Sequence, residues 1–422
     1  MSPHQPHNRR TRAILLTLTT LSILGGTTEA SAQSLELTIG GYIQGLAIAM
    51  DQSSQNQLDP DTGQPLNDER FALRRGRLVI AAHNPNAYGR LELDGSTHNG
   101  PQVQLKGAVI GLHTTQQHDT RWPLLEARLG LMASPFGAEL QRSSRHRPFV
   151  ERSNAINAFF PGTQDVGAEI RGQWRFVRYQ LALMNSEPLG SDDHPGQDPT
   201  ASKDLVARVG VVIPVTDTFT LEMGTSVLQG EGLSPSIATT KDSVQWIDAN
   251  ENGVVEVSEL QPIPGVAGRP AQSFDRSALG ADATAKLNIP HLGALRLSAD
   301  LYWALNLDRA VVPADPVTQG RDLRELGWMV SLEQALTRHA LLAVRYDHYN
   351  PDADDTETIA ADLVPRDRSV STLAINATWT TFDPMTVSLE YNHNDNNDGR
   401  NADGSPTRLK DDRLLVRAQV EF

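Results

Sequence analysis

The chain has no cysteine. That removes disulfide scaffolds, thiolate metal sites and cysteine nucleophiles. It has no run of eighteen apolar residues, so no helical membrane span is expected. A β-barrel is untouched by that absence, because barrel strands alternate and never build a long apolar run. Basic residues are in deficit, 37 Lys and Arg against 51 Asp and Glu, for a formal net charge of −14. With no basic run either, a nucleic-acid partner is not expected. Neither H-E-x-x-H nor G-x-S-x-G occurs, and the 12 His are scattered. No enzyme is expected. Aromatics are scarce, at 5% of 422 residues. That length fits two or three soluble domains or one large barrel.

What is present begins with an export signal. Arg9, Arg10 and Arg12 precede the apolar stretch Ala13–Leu24, and Ala30-Ser31-Ala32 fits a small-x-small cleavage site. The reading is a signal peptide over 1–32 and a mature domain over 33–422. Cleavage removes three Arg and one Glu, leaving net −16.

The body alternates with period 2. Leu295, Leu297, Ala299, Leu301 and Trp303 point one way, and Arg296, Ser298, Asp300 and Tyr302 the other. Leu414, Val416, Ala418, Val420 and Phe422 alternate with Arg413, Leu415, Arg417, Gln419 and Glu421. Sixteen strands follow, near 35–51, 70–83, 87–97, 103–114, 122–134, 165–175, 176–186, 203–214, 217–228, 276–289, 293–306, 322–334, 338–350, 369–380, 384–394 and 410–422. Long gaps (52–69, 135–164, 229–275, 351–368) trade places with short ones (84–86, 290–292, 381–383). An outer-membrane barrel has this layout, with long external loops and short periplasmic turns. Tyr88, Trp122, Trp174, Tyr179, Trp303, Trp328, Tyr346, Trp379 and Phe422 sit towards strand ends, as interfacial girdles do. The fold class expected is an all-β transmembrane antiparallel barrel in the outer membrane.

Residues 70–175 carry a series of short motifs in a fixed order. The pieces are Phe71-Ala72-Leu73-Arg74-Arg75-Gly76-Arg77, Leu91-Glu92-Leu93-Asp94 and Leu105-Lys106-Gly107-Ala108. Gly130 to Phe136, Phe149-Val150-Glu151-Arg152-Ser153, Pro161-Gly162 and Val166-Gly167 follow in order. In order and spacing these pieces resemble the phosphate-selective porin O/P family, and the resemblance implies a sixteen-stranded trimeric porin whose third external loop folds into the pore. Ser134 stands where the family often has a Lys before Pro-Phe, and Thr163 and Gln164 where it often has an Arg. Both departures bear on phosphate selectivity.

The expected pore is therefore wet and passive, taking small hydrophilic solutes, with inorganic or organic anions preferred. The wall charges balance, with Arg128, Arg171, Arg175 and Arg208 among the lumen-facing cations. The third loop instead carries Arg142, Arg145, Arg147 and Arg152 against Glu139 and Glu151. With Arg74, Arg75, Arg77, Asp94 and Lys106, these four arginines are the candidate anion-binding residues. A guanidinium fork suits phosphate or carboxylate, and low-dielectric walls focus its field. Arg74, Arg75 and Arg77 cannot all face one way on a regular strand; two share a face, or a bulge re-aims one. The alternatives are a nonselective or cation-preferring porin, or a plugged surface barrel.

Asp248 to Glu259 fits an EF-hand loop. Asp248, Asn250, Asn252, the Val254 carbonyl, Glu256 and a bidentate Glu259 supply oxygen ligands, with Gly253 at the turn. A weak Ca2+ site, about 10⁻⁴ to 10⁻³ M, is expected. Expected partners are the lipid bilayer, lipopolysaccharide and two further copies in a homotrimer.

Overall fold

The computed structural model describes residues 35–50, 69–98, 100–114, 122–162, 164–185, 200, 202–359, 362–400, 405–409 and 411–422. The signal peptide and the first long loop fall outside them.

In chain order the elements are β1 (Glu36–Met50), β2 (Arg70–His83), β3 (Ala87–Ser96), β4 (Gln102–His113), β5 (Glu126–Met132), α1 (Ala138–Gln141), α2 (Asn154–Phe159), β6 (Asp165–Trp174) and β7 (Val177–Met184). Then come β8 (Asp204–Pro214), β9 (Phe219–Ser234), a loop ribbon of β10 (Ser243–Trp246) and β11 (Leu260–Ile263), β12 (Gln272–Ile289) and β13 (Gly293–Leu305). The chain ends with α3 (Pro316–Gln319), β14 (Arg324–Ala335), β15 (Ala340–Asn350), a second ribbon of β16 (Thr356–Ile359) and β17 (Asp362–Pro365), β18 (Val370–Phe382), β19 (Met385–Asn396) and β20 (Arg413–Glu421). Apart from the two ribbons, sixteen strands form one closed antiparallel barrel in sequence order. β1 seals it against β20, from Tyr42 opposite Glu421 to Met50 opposite Arg413.

Alternation decides which face each side chain takes. On β13, Ser298, Asp300 and Tyr302 are buried inside, while Leu297 and Trp303 stand outside. Ile110, Leu129, Ile170, Leu183, Val330, Leu389 and Val416 continue this exposed apolar face around the barrel. Water is a poor solvent for such a belt, and lipid is the medium that fits it. The barrel is built for the outer membrane.

Three expectations need correction. β9 and β12 pair from Phe219–Leu287 up to Ser234–Gln272, so the long loop between them is 235–271 and not 229–275. Tyr88 and Trp122 are not girdle residues. Tyr88 bonds the inward Glu126 at 2.6 Å, and Trp122 lies under the Arg171 and Arg178 guanidiniums of the inner wall. Arg175 is not on the wall but in the β6–β7 turn at φ 53°, over the Trp174 ring. Trp174, Trp303, Tyr346, Trp379 and Phe422 do stand outward.

The third loop, 133–164, crosses the lumen. Four- and six-residue helices are not stable alone, so packing holds them. Phe136, Leu140, Ile156, Phe159 and Phe160 join Met184, Val206, Tyr302 and Tyr349 of the inner wall in one apolar cluster. Phe159 meets Tyr349 edge-on at 5.6 Å and Tyr302 at 6.3 Å. Each such side chain contributes about 1.5–3 kcal/mol by burial, against about 1–2 kcal/mol per residue of backbone ordering. The other half of the loop is tied by polar contacts to the opposite wall. Ser144 bonds Tyr42 at 2.7 Å, Val150 N–H donates to Glu390 at 2.8 Å and Arg417 donates to the Pro148 carbonyl at 2.9 Å.

Candidate functional site

Two β-bulges build the site. Opposite Gln44 and Gly45 of β1 stand Arg75 and Leu73, which makes Arg74 the extra residue on β2. The bulge turns Arg74 and Arg75 inward together, and Arg77 follows two residues on. Opposite Glu92 and Leu93 of β3 stand Gly107 and Leu105, which makes Lys106 the extra residue on β4. All four cations then face the third loop.

There they meet Arg147 and Arg152. The six cations, with Asp94 and Glu151 as its acids, line one cavity of about 430 Å³ between the third loop and the β2–β4 wall. Glu151 binds Arg74 through both oxygens, at 2.5 and 2.8 Å, and Arg75 at 3.1 Å. Arg77 bonds Glu92 at 2.7 Å and lies 3.3 Å from Asp94. The Lys106 ammonium donates to the Gly162 carbonyl at 2.7 Å. Arg152 reaches the Leu140 carbonyl at 3.0 Å. Arg147 is buried without a carboxylate partner, and its Nε and Nη1 donate to nothing.

The loop groups titrate abnormally. Burial, then the nearby Arg152 and Arg75, holds Arg147 well below the usual guanidinium range. Burial chiefly brings Arg152 down to about 10. Burial alone would raise Glu151, but Arg75 and Arg74 outweigh it and hold the carboxyl well below the ordinary range.

Among the described residues thirteen buried side-chain atoms lack a hydrogen-bond partner, and six belong to this cavity. They are Arg77 Nε, Arg147 Nε and Nη1, Arg152 Nε, His98 Nδ1 and Asp94 Oδ1. Buried polar groups are ordinarily satisfied, by protein or by water, so these groups are open to a water or a solute that reaches them. Elsewhere the inner-wall arginines have acids, as in Arg171–Glu126 at 2.9 Å, Arg276–Asp204 at 2.8 Å, Arg345–Asp347 at 2.9 Å, Arg128–Glu169 and Arg208–Asp282.

Of the nine anion-site candidates, Arg74, Arg75, Arg77, Asp94, Lys106, Arg147 and Arg152 share the cavity. Arg142 and Arg145 do not. Arg142 pairs with Glu333 of β14, and Arg145 with Glu421 of β20 at 2.5 Å. A second cavity of about 240 Å³ opens beside Arg142, lined also by Trp122, Arg178, Arg208, Glu222 and Asp282. Glu151 was visible in the Phe149–Ser153 motif but not as the acid that organises Arg74 and Arg75. Those arginines are 77 and 76 residues away in sequence, and nothing local announces the contact. His98, Gln104 and Asn157 also line the cavity and carried no sequence signal.

The Asp248–Glu259 loop closes the β10–β11 ribbon, with strands rather than helices as flanks. Asp248 accepts from Asn252 N–H at 3.1 Å and Gly253 N–H at 2.7 Å, and Gly253 takes φ 70°. Glu259 accepts from the Trp246 indole at 2.9 Å and Ala249 N–H at 3.2 Å. Glu256 receives both Asn250 and Asn252 amides, at 3.4 and 3.3 Å. Val254 N–H bonds Asn252 at 2.6 Å. Among the described residues no three His, Asp or Glu side chains converge as a metal cluster.

No family model matches the chain, and no curated protein does. Solved structures do. The outer-membrane channel DcaP of Acinetobacter baumannii superposes with a TM-score of 0.55 at 12% identity, covering 95% of this chain and 100% of that one. An anion-selective porin from Comamonas acidovorans gives 0.55 at 8% identity, over 92% and 100%. OprB of Pseudomonas putida gives 0.54 at 9%, over 92% and 94%. At such identities the likeness is one of fold, a porin barrel over nearly the whole chain.

Proposed function

We propose that the chain is a porin that passes small hydrophilic solutes by passive diffusion and prefers anions, phosphate among them. The observation that carries this reading is the cavity of six cations and two acids beside the third loop, with its unpartnered donors. A passing anion supplies the acceptors those donors lack. A cation meets a net positive field in a confined, low-dielectric passage. No bond is made or broken, so no catalytic group is needed. The test is the reversal potential of the protein in planar bilayers under asymmetric KCl. A sign showing chloride preference, with partial block by phosphate, supports the reading. A potassium-signed potential sinks it in favour of a cation-preferring porin.

A second reading is a barrel plugged by its own loop. It is favoured by the pairs that pin the loop, Arg142–Glu333 and Arg145–Glu421. Folded protein without conductance would decide for it.

The remaining assignments belong to the same proposal. The chain works as a homotrimer in lipid and lipopolysaccharide, which cross-linking in detergent tests. The Asp248–Glu259 loop takes Ca2+ weakly and stiffens the 235–271 loop, which calcium-dependent protease protection tests. Its support is the ligand spacing and the turn at Gly253.

A further inference from the structure

The cavity beside the third loop holds more recognition chemistry than a simple anion uses. We infer that it binds a phosphorylated polyol, an organic phosphate with several free hydroxyls and no aromatic ring. This rests on the anion-porin reading above and names the solute class of the same site.

The loop side of the cavity suits a phosphate monoester. Arg147 is nine-tenths buried or more, and offers Nε and Nη1 unpartnered; Arg152 offers Nε. Lys106, opposite, uses one acceptor of the three its ammonium can take. A phosphate monoester brings three acceptor oxygens and a charge of about −1.5 to −2. A carboxylate brings two oxygens and one charge, too little for this set of donors.

One wall group, Asp94 of β3, asks for the opposite polarity. Asp94 is buried, and its Oδ1 accepts from nothing. A second anionic group would be repelled there, whereas a hydroxyl donates to it. Arg77 lies 3.3 Å from the other Asp94 oxygen, and the cavity adds neutral groups, Ser96, Gln102 and Gln104 on the wall and Asn157 on the loop. Amides and hydroxyls both give and take hydrogen bonds, which matches a polyol. The cavity, at about 430 Å³, is roughly thirty times what a single water needs. A bare phosphate on the loop arginines leaves most of it unfilled. No Phe, Tyr or Trp lines it, so a nucleobase finds no stacking platform. A neighbouring cavity of about 360 Å³ shares Arg74, Glu151 and Arg152 and runs out past Met50, Arg70 and Arg413 at the external strand ends. That is the way in.

The experiment is single-channel recording of the whole protein in planar bilayers, with glucose 6-phosphate, inorganic phosphate, glucose and AMP at equal ionic strength. Glucose 6-phosphate is expected to half-block the current at a concentration at least tenfold below that for inorganic phosphate. Glucose is expected not to block. Asp94→Asn should cut the tenfold preference to threefold or less by weakening glucose 6-phosphate alone. Arg147→Gln should raise both half-block concentrations. Folding of each variant is checked by heat-modifiable mobility, and the wild-type comparison stands without them. Equal block by the two phosphates, or block by AMP as strong as by glucose 6-phosphate, overturns the inference while anion preference survives. Absence of anion preference with no block by any probe is a different outcome, in which the anion-porin reading itself fails.

Discussion

Glu151 is the acid whose removal should make the pore more anion-selective. It holds Arg74 at 2.5 Å and Arg75 at 3.1 Å. Glu151→Gln adds one unit of net positive charge to the cavity at unchanged shape. A unit charge about 6 Å from a passing ion interacts by about 0.7 kcal/mol at water-like dielectric. Screening trims that to about 0.6 kcal/mol at 10 mM salt and about 0.4 at 0.1 M. The anion gains what the cation loses, so the permeability ratio should rise about sevenfold at 10 mM and about fourfold at 0.1 M. The cost to loop anchoring is about 1–2 kcal/mol, because the pair is only partly buried and an exposed pair is worth less than a buried one. The apolar cluster on the other half of the loop is untouched and should keep it in place. The assay is the reversal potential of wild type and variant at both salt concentrations. A ratio that stays put, or moves towards cations, refutes the electrostatic reasoning. A rise in conductance with a ratio near one would show instead that the loop has left the lumen.

Four further outcomes follow from the same geometry. Lys106→Gln keeps a donor for the Gly162 carbonyl but removes a charge, so the permeability ratio should fall about fourfold at 0.1 M salt; an unchanged ratio would place Lys106 off the ion path. For pH, Arg75 and Arg74 hold the Glu151 carboxyl well below the ordinary carboxylate range. A depressed carboxyl contributes stability in full above its unfolded value of about 4.3 and loses it only as pH falls through the folded value. Wild type at pH 4 should therefore not mimic Glu151→Gln at pH 7 in reversal potential. Phe159→Ala opens a hole between Tyr302 and Tyr349, at a cost of about 3–5 kcal/mol; faster trypsin cutting after Arg142 or Arg145 and noisier current are expected, and an unchanged digestion pattern would count against the packing role. Calcium at millimolar levels should shift the emission of Trp246, whose indole bonds Glu259, and Asp248→Ala should abolish the shift.

Strand positions were legible because a barrel wall separates water from lipid at every second residue. No local signal competes with that pattern, and the sixteen ranges differ from the observed strands by a few residues. It failed where another force took over. β9 and β12 outrun the apolar belt into the external space, where alternation no longer pays and the sequence at Gln229–Ser234 reads as loop. Tyr88 and Trp122 look like girdle residues from position alone, yet their inward turn depends on Glu126 and on Arg171 and Arg178 of other strands. The site was half legible. Three arginines in four residues at Arg74–Arg77 require a bulge to share a face, and β2 has it. The Lys106 bulge had no such sequence clue. Pairing was the part that could not be read. Arg142 and Arg145 are as basic on paper as Arg147 and Arg152, and only the fold decides that Glu333 and Glu421 claim the first two.

That division reconciles an acidic chain with the anion preference proposed for its pore. A net charge of −14 describes solubility and long-range field, not the potential inside a narrow passage. Much of the acid is already committed. Loop carboxylates hold loop arginines, as in Arg321–Asp355 at 3.2 Å, Arg368–Asp398 at 2.7 Å and Arg400–Glu357 at 3.1 Å. Wall carboxylates hold wall arginines, as in Arg276–Asp204 and Arg345–Asp347. Paired charges at 3 Å present little field to an ion several ångströms away, since the two members nearly cancel. What an ion feels is the remainder, and beside the third loop that remainder is Arg147, Arg152 and Lys106, none of them hydrogen-bonded to a carboxylate, with the one charge of Arg74 and Arg75 that Glu151 leaves uncancelled. Selectivity should then follow these residues and ignore the bulk composition. Neutralising one member of an exposed pair, as Asp354→Asn does to Arg324–Asp354, changes the summed charge by one unit and should leave the reversal potential where it was. A shift there as large as that from Lys106→Gln would mean that the summed charge of the chain, and not the cavity, sets the preference.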